Sequence, residues 1–115
     1  MINVRDNRLE FYDSSHGTGG IDEGFAELVL ANLERWVQDE SLDKRKEELC
    51  TDGWTRHVPS NVPQQENGFD CGMFAFKFAQ CVSLDLKVED LAPLQPHMEA
   101  FRKCAIVQMI NGTLK

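Results

Sequence analysis

A cysteine stands where a polar, glycine-containing loop meets an apolar segment, in the stretch from Gln64 to Phe74. The apolar residues after Cys71 predict a buried helix that begins at or near the cysteine. The free N–H groups and partial positive charge of a helix N-terminus favour a thiolate over a thiol. Gly72 would let another backbone approach the sulfur closely. The position therefore suits Cys71 to act as a nucleophile.

Gln65 precedes this cysteine by six residues and supplies a second kind of chemistry. Its side-chain amide, with the backbone N–H of Cys71, could bind the negative charge that develops on a carbonyl oxygen under attack. Losing one such oxyanion donor typically costs about 10²–10³ in rate. Residue types alone leave the alternative open, because most cysteines at the start of a buried helix are packing residues and most loop glutamines are solvated.

Composition excludes several classes of function. The chain has 115 residues, enough for one domain, and a formal net charge of −7, with a pI of about 4.8. Such acidity disfavours nucleic-acid binding, which needs a basic face. Apolar residues make up 42% of the chain, which is typical of a globular domain. No apolar run is long enough to cross a membrane, and the N-terminus has no signal-peptide pattern.

The remaining cysteines are predicted to be structural. Cys50, Cys81 and Cys104 form no C-x-x-C pair with each other or with Cys71, so the sequence predicts neither a metal site nor a cofactor. Without a signal peptide, the thiols are expected to be reduced, in the nucleus or the cytoplasm. We expect these three cysteines to be small buried hydrophobic residues.

The elements that must position Cys71 and Gln65 follow from periodicity. Residues 2–4 and 9–12 predict a hairpin, and residues 14–20 a polar loop. Residues 22–39 predict an amphipathic helix capped by Asp22, whose apolar stripe would comprise Phe25, Leu28, Val29, Leu33, Trp36 and Val37.

The second half of the chain is also predicted to contain both helices and a strand. A short helix is predicted over 41–49 with Ser41 as its cap, and a strand over 54–58. Residues 71–82 predict a helix buried on every side, and residues 96–109 a last helix stopped by Gly112. These elements indicate an α+β domain with a short antiparallel sheet and about four helices.

Three separate segments carry a resemblance. "VPQQENGFDCGMFAFKFAQC" resembles the active-site segment of the SUMO/sentrin-specific (ubiquitin-like) cysteine proteases, "LEFYDSSHG" their strand ending in tyrosine-aspartate-serine, and "LQPHMEAFRKCAIVQMINGTL" their C-terminal helix. The resemblance implies a papain-like (adenain-like) cysteine protease architecture. Cys71 then matches the nucleophile, Gln65 the oxyanion-hole residue and Asp13 the acid that orients the catalytic histidine. Taken alone, Asp13 would rather be interpreted as an Asx-turn residue at a strand end.

The catalytic histidine of that family is the main departure. The family's His-Trp pair lies further upstream of the acid than the 12 residues that precede Asp13, and His16, His57 and His97 match no family base. We therefore expect residues 1–115 to be the C-terminal portion of a catalytic domain truncated on its N-terminal side, with surface or core roles for the three histidines. Phe69 replaces a small polar residue found in many relatives, which could alter the pocket wall.

Three functions follow as hypotheses. The resemblance implies a peptidase or isopeptidase that cleaves after the di-glycine tail of a ubiquitin-like modifier, most simply SUMO, by thiolate attack. The alternatives are a catalytically inactive fragment or modifier-binding module lacking the histidine, and a deneddylase or adenain-like protease. The partners expected are the modifier and its conjugates, with no nucleic acid and no membrane.

Overall fold

The computed structural model describes residues 1–16 and 22–112. In this part of the chain the elements, in order, are β1 (Ile2–Asn3), β2 (Arg8–Glu10), α1 (Glu23–Arg45), β3 (Thr55–His57), α2 (Cys71–Ser83) and α3 (Met98–Ile110), with 3₁₀ turns at Val88–Asp90 and Gln95–His97. The predicted α+β class is confirmed. The chain divides into two compact units, whose described parts are residues 1–12 with 22–60 and residues 13–16 with 61–112.

The first unit contains the sheet. β1 and β2 pair antiparallel with Ile2 opposite Leu9, so the predicted hairpin is confirmed with shorter strands. Asn7 takes a left-handed φ of 50° in the turn, as Asn tolerates. β3 pairs with β2 in parallel. The sheet is therefore mixed, whereas a purely antiparallel one was expected.

Helix α1 begins as predicted and ends later than predicted. The Asp22 carboxylate accepts the N–H of Phe25 at 3.1 Å, which confirms the N-cap. The predicted break at Asp39 and the separate helix capped by Ser41 are wrong, because α1 runs on to Arg45. Residues 39–41 include no glycine or proline to stop a helix. The helix ends only where Lys46 turns left-handed, with φ 59°.

The buried face of α1 differs from the predicted stripe. Ala26, Leu30 and Val37 are buried, at a spacing of four and seven residues that keeps them on one side of the helix. Phe25, Leu28 and Trp36, three members of the predicted stripe, are each more than half exposed. The pattern was ambiguous because apolar residues lie on more than one side of α1.

Helix α2 opens the helical part of the second unit and has the predicted position. Phe74, Phe78 and Cys81 are buried along one side, and the rings of Phe74 and Phe78 meet edge to face at 6.0 Å. Ala75 and Ala79 are exposed, so the predicted burial on every side is wrong. Small alanines face solvent at little cost, so Phe74, Phe78 and Cys81 define the buried face.

Helix α3 has nearly the predicted position, whereas two of the cysteines differ from their predicted burial. α3 starts after the 3₁₀ turn that includes Pro96, and Gly112 follows it with a left-handed φ of 64°, as the stop signal predicted. Cys81 is buried, but Cys50 and Cys104 are exposed, so their predicted burial is wrong. Residues 17–20 of the predicted loop lie outside the described residues.

Candidate active site

Cys71 is the first residue of α2 and is exposed. The carbonyl of the preceding Asp70 accepts the N–H groups of Met73 at 2.9 Å and Phe74 at 3.0 Å, which starts the helix. The N–H groups of the first turn, including those of Cys71 and Gly72, have no acceptor within the helix. The sulfur therefore stands at the positive end of a helix that Phe74 and Phe78 anchor in the interior of the second unit.

Hydrogen bonds join the segment that carries Gln65 to the segment that carries Asp13. The N–H of Gln65 donates to the carbonyl of Ser14 at 2.8 Å, and the Gln64 amide donates to the carbonyl of Asp13 at 2.8 Å. These contacts join positions 51 residues apart in the sequence. The structure thus brings the two segments together within the second unit.

The side chains of the two predicted residues have different partners. The Gln65 amide accepts from the Ser14 hydroxyl at 2.9 Å and donates to the carbonyl of Asn67 at 2.6 Å. The Asp13 carboxylate accepts the N–H of Ser15 at 2.8 Å, which is the Asx-turn geometry considered from the sequence. A carboxylate has lone pairs left for an imidazole N–H beside this bond.

A network around Asp70 was not found by the sequence reasoning. The carboxylate of Asp70, which is 1% exposed, accepts from Asn67 at 2.8 Å, from Gln95 at 2.8 Å and from Arg102. Its donors come from the loop, from the 3₁₀ turn and from α3. The only signal was the resemblance of the segment that contains Gln95 and Arg102 to the family's C-terminal helix, which assigned these two residues no role.

The same network holds the loop before Cys71. The Asn67 side chain accepts the N–H groups of Phe69 at 3.2 Å and Asp70 at 3.0 Å, while Gln95 accepts the N–H of Glu66 at 2.9 Å. Every residue from Glu66 to Asp70 except Gly68 thus has a partner in this network, which restricts the loop between Gln65 and Cys71. Phe69 itself is 74% exposed.

The three histidines have separate surroundings. His16 places Nδ1 at 3.0 Å from the carbonyl of Asp13. His97 is exposed, with its ring tilted against that of Phe101. His57 belongs to the first unit, on β3, where its ring meets the edge of Tyr12. None of these three contacts is with Cys71 or with the Asp13 carboxylate.

The described residues contain neither a cluster of metal-ligating side chains nor a helix able to span a membrane. No group of three His, Cys, Asp or Glu side chains in residues 1–16 and 22–112 is arranged to hold a metal ion. None of the helices over the same residues combines the length and apolar character needed to cross a bilayer.

Comparison with known proteins identifies the family. The sequence model of the Ulp1 protease family, C-terminal catalytic domain, matches residues 1–111. The chain belongs to this family. It is 36% identical over 114 residues to a sentrin-specific protease of Caenorhabditis elegans, and 34% identical over 116 residues to sentrin-specific protease 2 of Homo sapiens. The ubiquitin-like-specific protease 1A of Arabidopsis thaliana is 33% identical over 102 residues.

Coverage of these Ulp1-family relatives is unequal. The alignments take in 99% of this chain for the first two relatives and 89% for the third. They cover 15% of the nematode protein and 18% of each of the other two. The resemblance drawn from the sequence is confirmed as membership of the Ulp1 family. The roles of Cys71, Asp13 and Gln65 within it remain predictions.

Proposed function

We propose that this chain carries the nucleophile, the oxyanion donor and the orienting acid of a cysteine protease that cleaves after the C-terminal di-glycine of a SUMO-type modifier. One observation supports it above the others. Within the second unit, Asp13 and Gln65 lie on segments bonded to each other, and the Gln65 side chain is bonded to the loop that leads into Cys71. The names of the relatives point to ubiquitin-like modifiers as the substrate class.

The reaction uses two displacements at one carbonyl. The Cys71 thiolate attacks the carbonyl carbon of the last glycine, the C–S bond forms, and the Gln65 amide with the Cys71 N–H holds the oxyanion. The C–N bond then breaks and the amine leaves with a proton from the general acid. Water, deprotonated by the same group, hydrolyses the thioester and releases the modifier's carboxylate and the thiolate.

The proton carrier in this scheme is an imidazole oriented by Asp13, as in other triads. Papain-like architecture, with the nucleophile at the start of a central helix, is part of the same proposal, and the place of Cys71 at the start of α2 supports it. A reducing location in the nucleus or cytoplasm is also part of the proposal, because only the free thiolate is nucleophilic.

A di-glycine tail suits the geometry of such a site. Glycine has no side chain, so two consecutive glycines can pass through a passage that excludes other residues and bring the carbonyl to the sulfur. Beyond its chain neighbours and the nearby backbone of α2, no heavy atom lies within 4 Å of the place where a Cβ of Gly72 would stand. That open space beside Cys71 is consistent with close approach of a substrate backbone.

A second candidate function is a modifier-binding module without turnover. Two observations favour it: the Asp13 carboxylate accepts the N–H of Ser15 in an Asx turn, and residues 1–115 contain no His-Trp pair. Without a base, the thiol would depend on the helix N-terminus alone, and removing one member of a triad costs several orders of magnitude in rate.

Turnover separates the two candidates. The 115-residue chain and the whole protein that its gene encodes (the full-length protein) would each be incubated with SUMO joined through its C-terminal glycine to a fluorescent amine. We expect the full-length protein to release the fluorophore, and the Cys71→Ser variant to release none. Release by the 115-residue chain would exclude the binding-module candidate, and absence of release by the full-length protein would contradict the protease proposal.

The choice of modifier is tested with the same readout. Ubiquitin and Nedd8 joined to the same amine replace SUMO at equal concentration. We expect kcat/KM to be highest for SUMO. Faster release from another modifier would keep the chemistry and assign the chain to the deneddylase or another class.

A further inference from the structure

The Gln65 side chain is held at both ends of its amide. Its Oε1 accepts a hydrogen bond from the Ser14 hydroxyl at 2.9 Å. Its Nε2 donates to the main-chain carbonyl of Asn67 at 2.6 Å. An oxyanion donor needs a fixed orientation, because catalysis by such groups depends on their being in place before charge develops.

The chemistry of the two neighbours allows only one orientation of this amide. A main-chain carbonyl can only accept, so the nitrogen of Gln65 has to face Asn67. A serine hydroxyl can donate or accept, and it donates here because Oε1 faces it. The reversed amide would set Oε1 against the carbonyl of Asn67, two acceptors at 2.6 Å.

Both neighbours are themselves fixed by other bonds. Ser14 is 8% exposed, and its carbonyl accepts the N–H of Gln65 at 2.8 Å. Asn67 is held through its side chain, which bonds to the carboxylate and the N–H of Asp70. The Ser14 hydroxyl therefore comes from a restrained position, and the orientation of Gln65 follows from the local fold.

We propose that Ser14 is a positioning residue for the oxyanion hole: its hydroxyl, by binding Oε1 of Gln65, directs an Nε2–H toward the substrate carbonyl. The inference rests on the proposed function. Nε2 carries two hydrogens, one of which binds Asn67, so the other is the one available to the substrate oxygen. Ser14 acts through Gln65 and does not touch the substrate.

The test compares variants of the full-length protein on the SUMO–amine substrate. In Ser14→Ala we expect kcat to fall by roughly tenfold or more with KM little changed, since an oriented donor contributes mainly in the transition state. Ser14→Thr keeps the hydroxyl and should recover most of the loss. Ser15→Ala is the matched control, because it removes the neighbouring exposed hydroxyl and keeps the N–H that binds Asp13.

Two further measurements distinguish orientation of the amide from a general loosening of the site. Alkylation of Cys71 by iodoacetamide, read by peptide mass spectrometry, develops no oxyanion, so its rate in Ser14→Ala should stay within about twofold of the wild type. In a Gln65→Ala background, which itself should lose about 10²–10³ in kcat, adding Ser14→Ala should cost nothing more.

Three results would overturn the inference while leaving the proposed function intact. They are full kcat in Ser14→Ala, equal losses of turnover and alkylation in that variant, or an additive loss in the double variant. A wild-type protein that neither turns over the substrate nor forms an adduct with a SUMO electrophile would instead remove the proposed function, and this inference with it.

Discussion

The Asp70 carboxylate shows how one buried residue restrains the loop before Cys71. It is 1% exposed and receives donors from Asn67, Gln95 and Arg102. A carboxylate taken out of water loses its hydration, and these donors replace it. Arg102 also supplies the opposite charge, so its loss would leave a buried negative charge with neutral partners alone.

Replacing Arg102 is therefore expected to destabilise the second unit. We predict that Arg102→Met lowers the free energy of unfolding by about 2 kcal/mol, less than for a fully buried pair because the Arg102 side chain is 40% exposed. Lys103→Met is the matched control: its pair with Glu99 is exposed on both sides and should contribute under about 0.5 kcal/mol. Urea unfolding measures both, and equal effects would contradict the assignment.

Glu10 gives a prediction about pH in the first unit. Burial raises the pKa of this carboxyl, but hydrogen bonds from Asn3, Arg8 and Tyr12 outweigh burial and hold the pKa below its ordinary value. A carboxyl with a lowered folded pKa stabilises the protein above its unfolded pKa, near 4.5, and the stabilisation is lost as the pH falls through the folded value.

The wild type should accordingly lose stability below about pH 4.5, and Glu10→Gln should show a shallower dependence of unfolding free energy on pH between 3 and 5. Glu99→Gln, at an exposed carboxyl, serves as the control and should follow the wild type. An unchanged slope in Glu10→Gln would show that Glu10 does not cause the acid sensitivity.

At the scale of elements, the end of α1 is set by backbone conformation. Lys46 has φ 59° and ψ 20°, and its N–H returns to the carbonyl of Leu42. Left-handed backbone costs a residue with a Cβ roughly 1–2 kcal/mol, and glycine avoids that cost. Replacing lysine by glycine should therefore change the free energy of unfolding in opposite directions at Lys46 and at Lys44.

Lys46→Gly should raise the free energy of unfolding by about 0.5–1 kcal/mol after the entropy of glycine is counted. Lys44→Gly, two residues earlier and within α1, should lower it by about 1 kcal/mol. Thermal and urea unfolding would measure the pair. A loss of stability in both would mean that the Lys46 side chain contributes more than its backbone strain costs.

Some of these secondary-structure elements could be predicted from the sequence and others could not. The positions of α2 and α3, the Asp22 cap and the stop at Gly112 follow from local signals, namely apolar runs, capping residues and glycine. The continuity of α1 past Asp39 and the parallel pairing of β3 do not, because neither has a local signal. The predicted buried faces were wrong where alanine and larger apolar residues lie on different sides of the same helix, as along α1.

The candidate site divides in the same way. Cys71 and Gln65 could be proposed from the residues because a cysteine at a helix start and an amide nearby are local patterns, and Asp13 was proposed from the family resemblance. Asp70 with Gln95 and Arg102 was missed because the partners are 25 and 32 residues away. No spacing of residue types in the sequence predicts a hydrogen bond between residues so far apart in the chain.

At the scale of the whole molecule, each unit presents large apolar side chains to solvent. In the second unit, α3 exposes Ile106, Val107 and Ile110, which are 56%, 55% and 78% exposed. In the first unit, α1 exposes Phe25, Leu28 and Trp36. Exposed apolar surface of this kind promotes association or calls for a covering partner.

We therefore expect the 115-residue chain, expressed by itself, to self-associate as its concentration rises. Light scattering over a dilution series would measure this. Replacing Ile106 and Ile110 by Lys should shift the chain toward monomer without loss of helix content by circular dichroism. A chain that is monomeric at every concentration would contradict this expectation.

The proposed function requires Cys71 to be the nucleophile that attacks the C-terminus of a SUMO-type modifier. The most direct measurement is reaction of the full-length protein with SUMO bearing an electrophile in place of its last glycine carboxylate, followed by peptide mapping. We predict a single adduct on Cys71, lost in Cys71→Ala and kept in Cys50→Ala and Cys104→Ala, which remove the other exposed thiols. An adduct that survives Cys71→Ala, or no adduct at all, would contradict the claim.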